Sequence, residues 1–264
     1  MSPRSVVFAA ACMSLFGGQA FAQWEKDISV TSSFESPSAN GGQYYDTMSA
    51  ASDHQLQNNE GQPIVQFAGS DTELGFTTWF YATEYSMAEP ESRGLTDGDW
   101  FGVTNFTGDG VGSYPNGNKG FQMSDTDGIT QLRMQEISGF STVSFELWFG
   151  DTGYETGSPQ DAFSVGFGIA GIDTTNLLDS AGADLDDWFA TEGIIEGQWK
   201  SFTFNLDDLG IASGSLQFTF ESNDDLEQVF IDNIVFQRQS AGVVPGIGGI
   251  AVLAGLGGVR RRRR

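Results

Sequence analysis

Alternation of apolar and polar side chains with a period of two residues is the feature that most restricts the fold of this chain. Phenylalanine supplies much of it, with 22 residues in 264. Side chains two positions apart share one face of an extended strand, so each series predicts a strand with one buried face. We therefore expect a core built largely from phenylalanine. The clearest series fall at 74–80, 143–147, 163–169, 202–206 and 216–220.

Shorter apolar segments extend this pattern over one large domain, residues 23–242. Loops rich in Gly, Asp, Asn and Ser separate the segments, and no proline-rich or serine-rich linker divides them. Many short strands with few helical periods predict an all-β fold, a two-sheet, jelly-roll-like β-sandwich. Residues 184–191 are predicted to form a helical turn. Further strands are predicted at 28–34, 64–67, 100–106, 120–123, 129–137 and 229–236.

The amino-terminal 22 residues have the layout of a secretory signal peptide. Arg4 precedes a short apolar run, and small residues lead to a plausible cleavage site after Ala22. A signal peptide implies export, with signal peptidase as a processing partner. The only cysteine, Cys12, lies inside the segment to be removed. The exported domain therefore has to be stabilised by packing and by any bound ions.

The carboxyl end, residues 243–264, has a second sorting layout. Val244-Pro245-Gly246 precedes an apolar stretch, which ends in Arg260, Arg261, Arg262, Arg263 and Arg264. This order resembles the PEP-CTERM sorting signal of bacterial cell envelopes, with glycine where that class has glutamate. The resemblance implies an exosortase-like processing enzyme and an apolar anchor helix held in the inner membrane, either transiently or permanently. It also implies a final location at the cell surface or in an extracellular matrix.

Charge excludes some partners for the domain between these ends. Residues 23–242 contain all 35 acidic residues, which fall between Glu25 and Asp232, and six of the 12 basic residues, which gives a net charge of −29. Nucleic-acid or anionic-lipid binding by this surface is not expected, because both require basic patches. A saline habitat or divalent cations would relieve the self-repulsion, and solubility alone would also account for the charge.

The sequence contains little material for common catalytic sites. His54 is the only histidine, and it lies in a polar loop. One histidine leaves little material for nucleophilic triads, and histidine-based zinc catalysis requires two or three such ligands. A solvated side chain is the favoured interpretation of His54, and a catalytic role is the alternative. Hydrolysis by two carboxylates stays open because acidic residues are abundant.

Paired carboxylates beside glycines indicate calcium as a candidate ion. Asp125 and Asp127 flank Thr126 and precede Gly128, a pattern in which a tight turn can converge oxygens on Ca²⁺. The spacing does not complete an EF-hand, because Thr130 stands where that loop has glycine. A solvated hairpin turn is the alternative interpretation.

A second calcium candidate joins the two ends of the domain. Asp232 interrupts an apolar strand, where an ionised carboxylate requires a partner or a metal. Phe34-Glu35 near the start and Ile231-Asp232-Asn233 near the end resemble jelly-roll carbohydrate-binding modules and galactose-binding-like sandwiches. In those sandwiches such segments flank a structural calcium. The resemblance implies Glu35 and Asp232 as ligands.

Exposed aromatic residues are the candidate ligand-binding groups. Trp79 and Tyr81 alternate with the core series at 74–80, so both should face away from the core. There they could stack on the apolar face of a sugar ring, or pack under a covering segment as tryptophans often do. Trp148 is expected to face outward for the same reason.

These observations support two functions. The first is a non-catalytic surface or matrix protein, calcium-stabilised or not, that binds extracellular polysaccharide or packs into a coat. The second is a secreted polysaccharide hydrolase, which would need two carboxylates about 5 to 9.5 Å apart in a cleft. The scarcity of catalytic signatures favours the first.

Overall fold

The computed structural model describes residues 28–38, 61, 63–83, 100–125, 127–150, 154, 161–169, 174–180, 183–222 and 227–238. All of them belong to one compact unit, Asp27–Gln239. The expected signal peptide, the sorting segment at 243–264 and His54 lie outside the described residues. Within the described ranges, no helix has the length and apolar character needed to cross a bilayer.

The described residues form 13 strands and one helix. The strands are β1 (Ile28–Ser32), β2 (Gln66–Phe67), β3 (Phe76–Ala82), β4 (Trp100–Thr104), β5 (Gly120–Ser124), β6 (Gly128–Met134), β7 (Ile137–Ser138), β8 (Thr142–Phe149), β9 (Ala162–Gly168), β10 (Thr174–Asp179), β11 (Lys200–Asn205), β12 (Ser213–Ser222) and β13 (Gln228–Arg238), and the helix is α1 (Leu185–Glu192).

The strands form two antiparallel sheets. One has six strands in the order β11-β8-β13-β5-β4, with β1 paired to the far half of β13. The other has seven strands in the order β10-β9-β12-β6-β3-β2, with β7 paired to β12. The last of the described strands, β13, is therefore central in its sheet, with β8 on one side and β5 and β1 on the other.

Phenylalanine rings join the two sheets. Phe145 of β8 meets Phe218 of β12 edge to face, with ring centroids 5.1 Å apart. Phe149 meets Phe163 in the same way, also at 5.1 Å. Of the twelve largest side chains under 2 % exposed among the described residues, eleven are phenylalanine. Each buried ring contributes about 1.5 to 3 kcal/mol, so this contact layer is the main source of stability. The predicted all-β, two-sheet sandwich with a phenylalanine core is confirmed.

The helix α1 closes one end of the core. The Asp184 side chain accepts a hydrogen bond from the Asp186 amide at 2.9 Å and caps the first turn. Gly193 ends the helix with φ of 66°. Trp188 and Phe189 are buried, and the Phe189 ring lies 4.7 Å from that of Phe149. The predicted helical turn is thus a two-turn helix that buries one apolar side.

A segment between β4 and β5 covers the outer side of the six-stranded sheet. We call residues 105–119 the covering loop. Val111 and Tyr114 of this loop form a second apolar cluster with Trp148 and Phe230. Trp148 does point away from the main core, as its alternation predicts, but it is only 1 % exposed. This outer side is therefore a packed layer, and Trp148 is not available to a ligand.

Candidate functional site

Three adjacent strands of the seven-stranded sheet, β3, β6 and β12, carry polar and aromatic side chains on the side away from the core. Their inward positions are buried and the alternate positions are partly or fully exposed. We call this surface the outer face. Its residues are Thr77, Trp79, Tyr81, Ile129, Gln131, Arg133, Gln217, Thr219 and Glu221, the last at the end of the face near Tyr81 and two outward positions along β12 from Gln217, which pairs with Arg133.

Trp79 and Tyr81 both lie on the outer face, where the alternation places them. Trp79 is half-buried and stands opposite Gln131 of β6. Tyr81 is 36 % exposed, among the most exposed large hydrophobic residues described. Because they are two residues apart on one strand, their side chains are about 7 Å apart along the sheet. That spacing suits contact with adjacent rings of one extended ligand.

Arg133 is fixed in the middle of the outer face. Its Nε and Nη2 donate to Gln217 Oε1 at 3.1 and 2.8 Å. Its guanidinium carbon lies 4.7 Å from the centre of the Trp79 ring. A guanidinium over an indole face is stabilised by the electron density of the ring, by about 0.5 to 1 kcal/mol at a surface. Gln217 is in turn hydrogen-bonded to Thr219 Oγ1 at 3.3 Å.

An open depression of about 240 Å³ lies beside Trp79 and Arg133, where β2 and β3 meet the end of β6. Gln135 forms part of its wall, and its side-chain oxygen accepts a hydrogen bond from the Gly75 amide at 3.3 Å. Enclosed pockets for drug-sized ligands measure about 300 to 1,000 Å³. This depression is smaller and open, so it suits one ring of a longer ligand. Its lining is Phe67, Ala68, Gly75, Phe76, Thr77, Trp79, Arg133, Met134 and Gln135.

Asp232 is a buried carboxyl group with a raised pKa. It is fully buried in β13, at a bulge where pairing with β8 shifts register, and lies opposite Glu146. Its Oδ2 accepts a hydrogen bond from the Asn116 amide at 2.8 Å, whereas Oδ1 has no hydrogen-bond partner. Burial, and to a lesser degree the charges of Glu146 and Glu35, raise its pKa to about 7, although two backbone amides oppose the shift.

Glu35 and Lys119 join the start of the domain to the covering loop. Glu35 Oε1 accepts hydrogen bonds from the amides of Asn118 and Lys119 at 2.7 and 2.8 Å. The Lys119 ammonium donates to the carbonyl oxygens of Glu35 and Pro37 at 2.8 and 2.7 Å. Gly117 has φ of 95°, and a Cβ there would collide with the Glu35 carboxylate. The close approach therefore requires glycine.

Glu73, which the sequence did not single out, holds the same segment from the other side. Its carboxylate is 5 % exposed and accepts hydrogen bonds from the amides of Ser33, Glu35 and Ser36 at 3.0, 3.1 and 2.7 Å. Phe34 adopts a left-handed conformation, with φ of 58°, which turns these amides toward one point. Such a concave set of N–H groups is an anion site, occupied here by a side chain of the protein itself.

The calcium ligands implied by resemblance, Glu35 and Asp232, fit an ion in part. Asp232 Oδ1 is a buried carboxylate oxygen without a hydrogen bond, which is a suitable ligand. However, the Lys119 ammonium occupies the Glu35 and Pro37 carbonyls. Among the described residues, no three His, Cys, Asp or Glu side chains converge closely enough to hold a metal. A calcium ion here would need Asp232 together with backbone oxygens or a rearranged loop.

Asp125 and Asp127 lie in the connection between β5 and β6. These strands belong to different sheets, so the connection is not the hairpin considered as an alternative. Both residues have positive φ, 44° and 47°, and both are only 7 % exposed. Strand pairing places this connection beside two more buried carboxyl groups, those of Asp161 and Glu227. The two predicted calcium sites are therefore separate, because Glu35 and Asp232 lie under the covering loop.

The sequence pointed to Trp79 and Tyr81 but not to Arg133, Gln217 or Gln135. Arg133 belongs to an alternating strand, so its outward direction was available from the pattern at 129–137. The contact of Arg133 with the Trp79 ring depends on the pairing of β3 with β6. Its hydrogen bonds to Gln217 depend on the pairing of β6 with β12. Such pairings are not encoded by alternation alone, because any strand of the right period could be the neighbour.

Comparison with known proteins yields only distant structural neighbours. No protein-family model and no curated protein matches the chain. The K2 cleaved adhesin domain of Lys-gingipain is similar at a TM-score of 0.43 and 15 % identity, covering 79 % of this chain and 99 % of that one. TmCBM61 in complex with β-1,4-galactotriose is similar at a TM-score of 0.36 and 10 % identity, covering 72 % of this chain and 97 % of that one. The family 11 carbohydrate-binding module from Clostridium thermocellum is similar at a TM-score of 0.30 and 11 % identity, covering 66 % of this chain and 93 % of that one.

Proposed function

We propose that this chain is an exported, non-catalytic β-sandwich protein that binds extracellular polysaccharide on the outer face. The observation that carries the proposal is the arrangement of Tyr81, Trp79 and Arg133 along an open depression. Tyr81 offers an exposed ring, and Arg133 is held in place by Gln217 and Trp79. Flat aromatic surfaces beside fixed polar donors are what recognition of a sugar ring requires, because a ring presents both apolar C–H faces and hydroxyl edges.

The test is binding of the purified protein to a glycan array, followed by calorimetry on the best ligand. Tyr81→Ala should weaken binding about fivefold or more, because an aromatic contact of this kind is worth more than about 1 kcal/mol. Leu209→Ala is the matched control, since Leu209 is 43 % exposed and lies in the β11–β12 turn, away from the outer face. Equal loss in both variants, or no loss in Tyr81→Ala, would contradict the proposed surface.

The hydrolase alternative is an outcome of the same experiment. No carboxylate lines the depression, whereas hydrolysis of a glycosidic bond usually requires two. Incubation with each bound polysaccharide should therefore release no reducing ends. Release of reducing ends by the purified protein would contradict the non-catalytic function and support the hydrolase alternative, with catalytic carboxylates outside the depression.

We also propose that the protein is sorted to the cell surface by its two ends. The support is the layout of residues 1–22 and 243–264, together with an acidic domain that would lie outside the cell. An arginine-terminated apolar segment keeps its charges on the cytoplasmic side. Mass spectrometry of the surface fraction should find a chain that starts at Gln23. Loss of the segment after Val244 would indicate cleavage, and retention of this segment would indicate a permanent anchor. Recovery of the whole chain in the cytosol would contradict export.

We propose calcium as a stabilising ion, with Asp232 and Glu35 as the first candidate site and Asp125 with Asp127 as the second. The unpartnered Asp232 Oδ1 and the buried Asp125 and Asp127 carboxyl groups support this. Calcium should raise the melting temperature above that in EDTA. Asp232→Asn should remove the increase if the first site binds, and Asp127→Asn should remove it if the second does. Equal melting of the unaltered protein in both buffers would contradict calcium at either site.

A further inference from the structure

We propose that the polysaccharide carries isolated carboxylate groups, and that Arg133 binds one of them. This inference rests on the proposed glycan-binding function of the outer face. It concerns the chemical class of the ligand, because an aromatic surface alone would select only for the shape of a neutral sugar.

The first step is the free edge of the guanidinium. Arginine has five N–H donors in a fixed plane. Arg133 uses Nε–H and one Nη2–H on Gln217 Oε1. The second Nη2–H and both Nη1–H groups have no protein acceptor among the described residues. Either edge of a guanidinium can meet a carboxylate through two parallel hydrogen bonds, a geometry that lysine cannot provide. Since Gln217 occupies the Nε–Nη2 edge of Arg133, the Nη1–Nη2 edge is the one left for a ligand.

The second step is that the edge is held still before any ligand binds. The Trp79 ring lies against the guanidinium plane at 4.7 Å, and Gln217 fixes it from the β12 side. Gln217 is itself hydrogen-bonded to Thr219. A group fixed in this way loses little conformational entropy on binding, so more of the interaction appears as affinity.

The third step is that the Arg133 guanidinium changes which surface Trp79 offers to a ligand. The guanidinium covers one face of the indole, so that face does not offer the bare apolar surface that would stack on a neutral pyranose. A ligand approaching from that side meets a cation first. The adjoining depression has no acidic side chain in its lining to repel a carboxylate, and Thr77 and Gln135 add polar groups around it.

The fourth step sets how many carboxylates the ligand carries. The region between the two sorting segments has a net charge of −29, so a polymer with a charge on every ring would be repelled. At about 0.15 M salt this repulsion is screened beyond roughly 8 Å, whereas a direct contact with Arg133 is not. The favoured ligand is therefore a mostly neutral chain with occasional uronic acids.

The test uses one oligosaccharide in two forms. Glucuronoxylan oligosaccharides are compared with the same preparation after chemical reduction of its carboxyl groups, which leaves the linkages intact and removes the charge. We expect the protein to bind the charged form at least tenfold more tightly, and to bind polygalacturonate more weakly than either. Arg133→Gln should bind both forms equally, and Arg133→Lys should keep only a minor part of the preference.

The control is Lys200→Gln, which removes a cation from β11 in the opposite sheet and should keep the full preference. Circular dichroism and melting curves check that each variant is folded. If the reduced form binds as tightly as the charged form and Tyr81→Ala still weakens both, the carboxylate inference fails and glycan binding stands. If neither these oligosaccharides nor any other glycan binds, the proposed function fails with it.

Discussion

At the residue scale, Asp232 combines complete burial with two unequal oxygens. One accepts the Asn116 amide and the other has no hydrogen bond. Burial raises the pKa from 3.8 to about 7, which means that folding favours the protonated carboxyl. The group is therefore a source of instability when ionised, unless a cation compensates for its charge.

Asp232→Asn tests this directly, because asparagine has the same shape and no charge to bury. Below pH 3.8 the carboxyl is protonated in both states, and above about 7 it is ionised in both. Between these values only the folded state holds the proton, so this group stabilises the fold less and less as pH rises. In EDTA, the free energy of unfolding of the variant should therefore rise relative to that of the unaltered protein between these pH values, by up to about 4 kcal/mol.

The measurement is urea denaturation of both proteins at several pH values in EDTA. The difference between the two free energies of unfolding isolates Asp232 from the other carboxyl groups. Glu136→Gln, a change at an exposed loop carboxylate, should show no such trend. A difference that stays constant from pH 4 to pH 8 would show that the Asp232 pKa is not raised.

Lys119 gives a second prediction at this scale. Its ammonium is hydrogen-bonded to two carbonyl oxygens of the initial segment, those of Glu35 and Pro37. Lys119→Met should lower the free energy of unfolding by about 1 to 3 kcal/mol, because both carbonyls lose a charged donor. Lys200→Met, at an edge strand, is the matched control. If calcium can take the place of the ammonium, adding it should restore part of the loss in the Lys119 variant.

At the element scale, the segment after β1 is held mainly by side chains rather than by strand pairing. Glu73 accepts three of its amides, and Glu35 and Lys119 attach it to the covering loop. Glu73→Gln should cost on the order of 2 kcal/mol, because the amide nitrogen of glutamine would face backbone N–H groups that need an acceptor.

Hydrogen exchange can locate that loss. Amides of residues 33–36 should exchange faster in Glu73→Gln, while those of β12 should keep their protection. Glu136→Gln again serves as a control. Uniform acceleration over both elements would mean that Glu73 supports the whole sandwich rather than this segment.

The strands and loops also show which features of the fold can be predicted from the sequence. Period-two alternation predicts the Phe145, Phe163 and Phe218 strands, because a buried face leaves a regular mark. It also gives the outward direction of Trp148, but not that the covering loop buries this residue. It likewise cannot tell that Asp125 lies in a crossing between sheets, because the same residue types favour both hairpins and crossings. Those features depend on contacts between distant parts of the chain.

At the scale of the whole molecule, excess negative charge acts against the compact state. The net charge of residues 23–242 is −29, and the repulsion acts over roughly 30 Å at 0.01 M salt but about 3 Å at 1 M. The melting temperature should therefore rise with NaCl at pH 7.5. The same titration near the isoelectric point of residues 23–242 should be nearly flat and serves as the control; that pH lies below 4.1, the value for the full sequence, because six of the 12 basic residues lie outside this region. A salt response of equal size at both pH values would not be electrostatic.

The position of β13 has a consequence for how the protein is made. Of the strands that the structure describes, the one synthesised last is the one to which β8, β5 and β1 all pair. Until residue 238 has left the ribosome, β4 can pair with β5 and β8 with β11, but the two pairs cannot join into one sheet, so the aromatic interior stays incompletely covered. Completion of the sandwich thus waits until residues 228–238 have been synthesised, and a chain exported as proposed above would still be open while it passes a narrow translocation channel.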